Sequence, residues 1–355
     1  MNYYIGLDNG GTLTKAALYT SSGEEVAVCS AATEIAVPHP GYAERDMERM
    51  WRTNCDVLRG LLVRAGVDPA DVRAVACCGH GKGLYLWGRD GKPVRAGIVS
   101  MDNRAAEYAR RWEEDGTAAK AFAFSCQRVL ACQPVALLAW LRDNEPENYR
   151  NIRWVFECKD YVRFRLTGEA FAEVTDYSGT NLMNLHTRDY DPRLLGLFGL
   201  EAVAGALPPL RLSTDVCGRI TEEAAALTGL KAGTPVVGGM FGMEGMQPGE
   251  QCRTLLDRYG LRIVILTCGA AGSSVFAPDT RSYIPTPRVE VADTVGAGDS
   301  FTASFLAALL SGLGIGEAHR LAVDVAAHVC SQHGAMPRLP ERFTARLRND
   351  GSAIR

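Results

Sequence analysis

The pattern of hydrophobic and polar positions predicts a β-hairpin at the beginning of the chain. Residues 3–7 alternate and are rich in β-forming side chains, and a second run of this kind covers residues 12–19. The turn Asn9-Gly10-Gly11 lies between the two runs and has a composition typical of a hairpin tip. The tip of this hairpin is therefore expected to be almost bare backbone.

A buried strand is predicted for residues 72–78, where apolar side chains dominate. The segment Gly79-His80-Gly81 follows it and precedes a hairpin-like run over residues 84–94. A polar side chain between glycines at a strand end is exposed to a polar ligand in many α/β folds. His80 is therefore a candidate for hydrogen bonds to a ligand, and the alternative is a structural histidine in a turn. Residues 100–104 then begin a helix.

The last third of the chain follows a different pattern. Residues 242–249 contain glycine and methionine and are predicted to form a linker. Beyond it the pattern predicts a helix over 251–259, strands over 261–267 and 273–276, and a turn at 269–272. A further helix begins near Gly298, and its predicted buried stripe consists of Phe301, Phe305, Leu306 and Leu309. We therefore expect two domains, at residues 1–241 and 250–347.

The composition is that of a globular protein with room for two hydrophobic cores. Of the 355 residues 47% are apolar and 22% are charged, and the net charge is −3. Such a charge does not attract nucleic acid or an anionic membrane, so we expect neither partner and favour a small-molecule ligand. The first residues lack the pattern of a signal peptide, and no stretch is apolar enough to span a bilayer.

The eleven cysteines lie mainly in apolar runs and show no Cys-x-x-Cys spacing. This distribution predicts reduced thiols rather than a disulfide framework or a metal site. A cytoplasmic location is the expectation that follows.

The turn after the first strand has the residues of a phosphate site. Glycine lets a phosphate approach the backbone N–H groups of Gly10 and Gly11, and Thr12, Thr14 and Lys15 add hydroxyl donors and positive charge. Asp8, at the end of the strand, is a candidate ligand for Mg²⁺ through water. A simple hairpin turn without a ligand is the alternative.

A second glycine-rich segment of unrelated design lies near the end of the chain. Gly296, Ala297 and Gly298 place free N–H groups at the start of a helix, where the helix dipole also favours a phosphoryl group. Asp299 in the first turn is suited to accept a proton from an attacking hydroxyl. This pattern predicts phosphoryl transfer.

The segments described for the first domain resemble the N-terminal half of the FGGY carbohydrate kinases over about residues 3–241. The resemblance also includes Leu207-Pro208-Pro209, residues 217–221 and residues 228–239. It implies an actin-like, ribonuclease-H-like fold, and phosphate contact by Gly10, Gly11 and Thr12.

Within that family the segments 40–46, 81–84 and 111–116 look most like the L-xylulose/3-keto-L-gulonate kinase branch. The branch implies a ketose or a related acyclic sugar acid, with Gly79 and His80 where family members touch the sugar. Asp102 and Asp176 are predicted as further substrate contacts. FGGY relatives are often dimers, but the second lobe that forms their interface has no counterpart in this sequence, so a homodimer is an open alternative and the oligomeric state is not fixed.

Residues 250–340 resemble the C-terminal part of the PfkB/ribokinase family, on the motif Asp293-Thr294-Val295-Gly296-Ala297-Gly298-Asp299. The resemblance implies a partial ribokinase-like α/β domain with Asp299 as catalytic base and residues 296–298 as an anion hole. It also places Gly269 and Gly272 near the nucleotide. The N-terminal two-thirds of a PfkB protein has no counterpart here.

Two functional hypotheses follow from the two resemblances. FGGY kinases carry their catalytic aspartate directly after the Gly-Gly segment, and this chain has Gly242 there. The first hypothesis is an ATP-dependent carbohydrate kinase, acting on a ketose-type sugar with Mg²⁺ at the phosphates and Asp299 as base. The alternative is a catalytically impaired fusion product that binds sugar without phosphorylating it.

Overall fold

The chain forms two compact units, Met1–Gly242 and Met243–Arg355, in a computed structural model. The structure describes residues 1–237, 248–292, 296–332, 334 and 337–345. Each unit is considered by itself below.

The first unit combines short and long strands with helices between them. Its strands are β1 (Tyr3–Asn9), β2 (Leu13–Thr20), β3 (Glu25–Ala32), β4 (Glu44–Arg45), β5 (Val72–Gly79), β6 (Tyr85–Gly88), β7 (Gly97–Ile98), β8 (Ile152–Phe156), β9 (Ala172–Glu173), β10 (Met183–Asn184), β11 (Asp189–Tyr190), β12 (Leu210–Arg211), β13 (Val216–Arg219) and β14 (Pro235–Val237). Its helices are α1 (Met47–Ala65), α2 (Ala106–Glu114), α3 (Thr117–Ser125), α4 (Pro134–Asn144), α5 (Pro146–Asn151), α6 (Cys158–Thr167), α7 (Val174–Tyr177), α8 (Pro192–Phe198) and α9 (Glu222–Thr228).

A six-stranded sheet in the order β13-β14-β5-β1-β2-β3 is the centre of this unit. Strand β1 pairs antiparallel with β2 and parallel with β5, and the parallel register places Asp8 opposite Cys78 and Asn9 opposite Gly79. Because parallel strands end at the same edge of a sheet, the tip of the β1–β2 hairpin lies beside the segment that follows β5. The sheet thereby brings two of the predicted ligand segments together.

Helix α1 covers part of this sheet. It begins at the N-cap Asp46, whose side chain accepts from the Arg49 N–H, and it ends at Gly66 in the left-handed conformation. Its apolar stripe, which includes Trp51, Leu58 and Leu61, is buried together with Ile5, Leu7 and other strand residues. A second core forms around helix α4, whose residues 135–139 are fully buried.

The second unit is a small layered α/β body. Its elements are α10 (Pro248–Tyr259), β15 (Val264–Thr267), β16 (Ser273–Ala277), β17 (Thr280–Ile284), α11 (Ala297–Leu310), α12 (Ile315–Cys330) and α13 (Glu341–Thr344). The three strands form an antiparallel sheet in chain order. Phe301 and Phe305 of α11 pack with Leu321 and Val325 of α12 to form its core.

Several sequence predictions need correction. Helix α10 begins at Pro248, inside the segment predicted as linker, and helix α2 begins at Ala106 rather than at residues 100–104. The run 84–94 does fold back on itself as predicted, since the Val94 N–H donates to the Leu86 carbonyl and the Gly88 N–H to the Lys92 carbonyl, and β6 also pairs with β8. Leu306 is 53% exposed, because it lies one residue beyond Phe305 and thus about 100° around the helix from the buried stripe.

All eleven cysteines are free thiols, as predicted, although Cys78, Cys126 and Cys268 are exposed rather than in a core. In the part of the chain that the structure describes, no helix is long and apolar enough to cross a membrane.

Candidate functional site

The glycine turn between β1 and β2 presents backbone N–H groups on an open surface. The Gly10 N–H is used within the hairpin, where it donates to the Leu13 carbonyl at 2.9 Å, whereas within residues 1–237 the N–H groups of Gly11 and Thr12 donate to no other group. A Cβ added at Gly11 would meet nothing within 4 Å. Neither Gly10 nor Gly11 has a positive φ, so the turn uses glycine for open space and not for left-handed backbone.

Thr14 does not take part in this surface. Its side chain is buried and its hydroxyl lies 3.5 Å from Asn9 Oδ1, to which it donates. Residues on one strand alternate between the two faces of the sheet, so Thr14 points to the opposite face from Lys15, which is exposed. Of the predicted side-chain donors, Thr12 and Lys15 remain available to a ligand.

Asp8 is exposed at the end of β1, opposite Lys15 on one side and Cys78 on the other. Cys78 Sγ donates to Asp8 Oδ1 at 3.5 Å, and burial together with Asp8 raises the pKa of this thiol to about 11. No group of three metal-binding side chains occurs among the described residues. A single carboxylate beside a candidate phosphate site nevertheless fits Mg²⁺, because this ion is commonly held by one or two carboxylates plus water and substrate phosphates.

The Gly79-His80 segment lies directly against the glycine turn. The His80 N–H donates to the Asn9 carbonyl at 3.0 Å, and a Cβ on Gly79 would approach that same oxygen to 3.0 Å. His80 Nε2 lies 2.9 Å from the Tyr85 hydroxyl, while its buried Nδ1 has no partner in the described part of the chain. Burial, and then the charge of Arg45, lowers the pKa of His80, so the imidazole is neutral at pH 7.

Asp176 reaches the same place from helix α7. A Cβ on Gly81 would lie 2.9 Å from Asp176 Oδ1, so this carboxylate is packed against the His80 loop. Asp176 Oδ2 is 3.5 Å from Lys159 Nζ, which also donates to Glu173 Oε2 at 2.7 Å. The structure therefore brings together Gly79, His80 and Asp176, which are far apart in the sequence.

Glu157 supports this loop and was not predicted from the sequence. Its buried Oε1 accepts from the Lys82 N–H at 2.9 Å, and Lys82 has the left-handed φ of 65°. Burial, and then the charge of Asp176, raises the pKa of Glu157 well above its usual range. Lys82 is a non-glycine residue with positive φ, and such strain often accompanies functional loops. Only the position of Glu157 at the end of β8 could have suggested its role.

Asp102 is placed differently from the other predicted substrate contacts. Its side chain is fully buried, and its oxygens accept from the N–H groups of Ala43 and Arg104 and from the Arg104 guanidinium. In this structure the carboxylate therefore fixes the loop at Ala43. A direct contact between Asp102 and a sugar stays a prediction that this burial weighs against.

Arg45 is the second residue that sequence reasoning missed. It is buried at the end of β4, and its Nη2 donates to the carbonyl groups of Gly10 and Gly11 and to the Thr33 hydroxyl. The motif that contains it was recognised, but nothing in the pattern indicates that its side chain turns inward.

In the second unit, helix α11 begins after Gly296, which has a φ of 80°, and Asp299 is exposed in its first turn. The Ser300 N–H makes an early helical bond, to the Gly296 carbonyl. The N–H groups of a first helical turn have no intrahelical partner, which is the property that favours an anion there. Asp293, Thr294 and Val295 of the motif lie outside the described residues, as does Gly242.

Gly269 and Gly272 flank a short 3-10 turn between β15 and β16. Gly272 has a φ of 113°, and a Cβ there would lie 2.7 Å from the Ile284 carbonyl oxygen, so only glycine fits. Gly269 also has a positive φ, of 53°, and its carbonyl accepts from the Thr286 hydroxyl. Their predicted proximity to a nucleotide stays a prediction.

Comparison with known proteins gives two family matches. Residues 3–244 match the FGGY family of carbohydrate kinases, N-terminal domain, and residues 221–342 match the pfkB family carbohydrate kinases. These matches and the structural neighbours confirm the predicted fold class, an actin-like domain followed by a partial ribokinase-like α/β domain.

Three relatives illustrate the similarity. The chain is 39% identical over 285 residues to a probable L-xylulose kinase of Pasteurella multocida, covering 80% of this chain and 58% of that protein. It is 40% identical over 265 residues to the L-xylulose/3-keto-L-gulonate kinase of Escherichia coli, covering 75% and 53%. The crystal structure of xylulose kinase from Rhodospirillum rubrum matches with a TM-score of 0.64 at 26% identity, covering 90% of this chain and 66% of that one.

The chain thus spans just over half the length of the two relatives compared by sequence. The FGGY match extends over more than half of this chain, from residue 3 to residue 244, and includes the glycine turn, the His80 loop and Asp176. This chain therefore belongs to the FGGY family of carbohydrate kinases.

Proposed function

We propose that this protein transfers the terminal phosphoryl group of ATP to a hydroxyl of a ketose-type sugar such as L-xylulose. The observation that carries the proposal is the meeting of the open glycine turn with the Gly79-His80 segment at neighbouring strand ends. The relatives named as L-xylulose kinases support the choice of sugar.

The sugar would bind beside His80 and Asp176. A neutral imidazole can donate one hydrogen bond and accept another, and a carboxylate accepts, so together they suit a row of sugar hydroxyls. The unpartnered Nδ1 of His80 supports this assignment, because a buried polar atom normally finds a partner. Because Gly79 has no side chain, the His80 loop can pack against Asn9.

The phosphates would bind at the glycine turn, where the N–H groups of Gly11 and Thr12 are open. FGGY sugar kinases use ATP, normally with a divalent metal. Asp8 would hold this ion, which we take to be Mg²⁺, and the ion would neutralise charge on the phosphates.

The chemical step needs a base that accepts the proton of the sugar hydroxyl. The sugar oxygen attacks the terminal phosphorus, the bond to the bridging oxygen breaks, ADP leaves, and a carboxylate takes the hydroxyl proton. Asp299 is our candidate for this base on the pfkB family match alone. The N–H groups at Gly296, Ala297 and Gly298 would stabilise the charge on the transferring group, with Gly269 and Gly272 beside the nucleotide. These assignments rest on the pfkB family match.

The test is ADP release by the purified full chain with Mg-ATP and a panel of ketoses led by L-xylulose. We expect turnover that depends on the sugar and that falls strongly in Asp8→Asn. Asp56→Asn, which changes an exposed carboxylate on α1, is the matched control and should behave like the wild type. Absence of any sugar-dependent ADP release would contradict the proposal.

The alternative hypothesis, a fusion that binds sugar without phosphorylating it, draws no support from the relatives, which are named as kinases. Sugar binding in calorimetry without ADP release would favour it.

A homodimer stays a prediction, to be checked by light scattering of the purified protein.

A further inference from the structure

Arg45 is a buried cation directly behind the glycine turn. Its side chain is on β4, the residue is 3% exposed, and Nη2 lies 3.2 Å from the Gly10 carbonyl oxygen and 3.0 Å from that of Gly11. The same nitrogen donates to Thr33 Oγ1 at 3.2 Å. The guanidinium therefore fixes two consecutive peptide groups of the turn.

The charge of Arg45 is not neutralised by a carboxylate in the part of the chain that the structure describes. Two other arginines of this unit are buried, and each is ion-paired, Arg104 with Asp102 and Arg163 with Asp160. Arg45 makes no such pair, and its buried Nε and Nη1 lack any partner among the described residues. Because an unpaired buried charge is costly, a compensating anion is expected nearby when the protein works.

Peptide geometry indicates where such an anion would lie. In a planar trans peptide the C=O of one residue and the N–H of the next point in opposite directions, and the described residues contain no cis peptide. Arg45 holds the carbonyls of Gly10 and Gly11, so the N–H groups of Gly11 and Thr12 point away from it. These are the two N–H groups of the turn that have no partner.

We propose that Arg45 is a positioning residue that orients the N–H groups of Gly11 and Thr12 toward a bound phosphate and supplies the positive charge behind them. The anion that compensates the charge of Arg45 is the phosphate chain of a nucleoside triphosphate. This inference rests on the proposed function and adds a specific residue to it.

The test compares Arg45→Lys with Arg45→Gln, because lysine keeps the charge and glutamine does not. Binding of Mg-ATP to the full chain is measured by titration calorimetry. We expect Arg45→Gln to weaken the affinity by roughly 10-fold or more, as for the loss of a charge-assisted interaction, and Arg45→Lys to lose much less. Arg49→Gln is the matched control, since Arg49 is exposed and pairs with Glu34.

A second readout reports on the charge without any nucleotide. His80 faces Arg45, Asp176 and Asp8, and Arg45 is one of the groups that lower its pKa. An NMR titration should therefore show a higher pKa of His80 in Arg45→Gln than in Arg45→Lys or the wild type. A purely structural role of Arg45 would not separate the two variants in this way.

A third arm covers the case in which Arg45→Gln does not fold. A cavity of about 260 Å³, lined by Thr33, Glu34, Arg45 and Arg49 among others, lies beside the side chain. Added guanidinium ion should therefore restore Mg-ATP affinity to Arg45→Ala, and it should leave the affinity of Arg49→Ala, which keeps Arg45, unchanged.

Equal losses in Arg45→Lys and Arg45→Gln, or none in either, would overturn the inference while leaving the proposed function intact. Absence of Mg-ATP binding by the wild type would overturn both.

Discussion

The two units differ in what they bury. The first unit encloses carboxylate and guanidinium side chains in its interior, namely Arg45, Asp102, Arg104, Glu157, Asp160, Arg163, Glu173 and Asp191. In the second unit, over the described residues from 248 onward, the buried polar side chains are Ser273, Ser274, Ser304 and His319. His319 lies 2.8 Å from the hydroxyls of both Ser273 and Ser282, and burial lowers its pKa, so it is a neutral bridge between two strands.

This difference separates the two candidate phosphate sites. The glycine turn of the first unit is held from behind by a buried cation, and the neighbouring loop is held by Glu157. The start of α11 relies on the backbone N–H groups and on Asp299, which is exposed. A buried charge is stable only when the groups around it keep one arrangement. The N–H groups of an exposed first helical turn require only that the helix forms. Substitutions of the buried charged residues of the first unit should therefore affect folding and activity together, and those at Asp299 activity alone.

The largest effect is expected from Asp299→Asn. Loss of a general base lowers the rate by about 10²–10⁴-fold, so sugar-dependent ADP release should nearly vanish. Thermal unfolding should stay unchanged because the side chain is exposed. Asp257→Asn, an exposed change on α10, is the control and should retain full activity. Wild-type turnover in Asp299→Asn would show that this residue is not the base.

Arg163→Met tests the buried pairs of the first unit. Arg163 Nη2 donates to Asp160 Oδ1 at 2.8 Å and to the Phe171 carbonyl at 2.6 Å. Its removal leaves a buried carboxyl group unpaired and should lower the free energy of unfolding by about 3–5 kcal/mol, measured in urea. The double variant Asp160→Leu with Arg163→Met should recover part of this loss. A loss in the double variant as large as that in the single one would argue against a role for charge.

Glu173 provides a test that depends on pH. Burial acts to raise its pKa, but hydrogen bonds from Lys159 and Thr175 outweigh burial and lower the pKa to about 2. Because the folded-state pKa lies below the unfolded one, the stabilisation by Glu173 is complete above about pH 4.5 and is lost as the pH falls toward 2. Glu173→Gln should therefore reduce the free energy of unfolding by about 1.5–3 kcal/mol at pH 6. The difference from the wild type should shrink at pH 3, and a constant difference would contradict this origin.

The smallest effects come from a pair of glycines, one in each unit. Gly272→Ala should destabilise the second unit by about 1–3 kcal/mol, because φ is 113° and the Ile284 carbonyl blocks the new methyl group. Gly11→Ala should leave stability nearly unchanged, because its Cβ meets nothing, yet it should weaken Mg-ATP binding. Hydrogen exchange of the peptides that contain each residue locates the change. Equal destabilisation by the two substitutions would remove this distinction.

Local pattern was sufficient where a structure depends on neighbours in the sequence. Alternation and the Asn-Gly-Gly turn predicted the β1–β2 hairpin, which the structure has at Tyr3–Asn9 and Leu13–Thr20. The strand before His80 and the helix after Gly296 were found in the same way. The stripe on α11 was only partly right, since apolar character alone does not tell which face of a short helix meets α12, and Leu306 lies on the exposed one.

The sequence by itself determined the family, and it predicted a phosphate chemistry for the two glycine-rich segments, because both depend on residue types at short spacing. Only the tertiary structure decided that Arg45 lies behind the turn, that Glu157 supports the His80 loop, and that Asp176 joins them. Glu157 lies 75 residues from Lys82, and Arg45 lies 35 and 34 residues from Gly10 and Gly11. Contacts at such separations depend on the parallel register of β1 and β5 and on the packing of helices against the sheet, which no local pattern encodes.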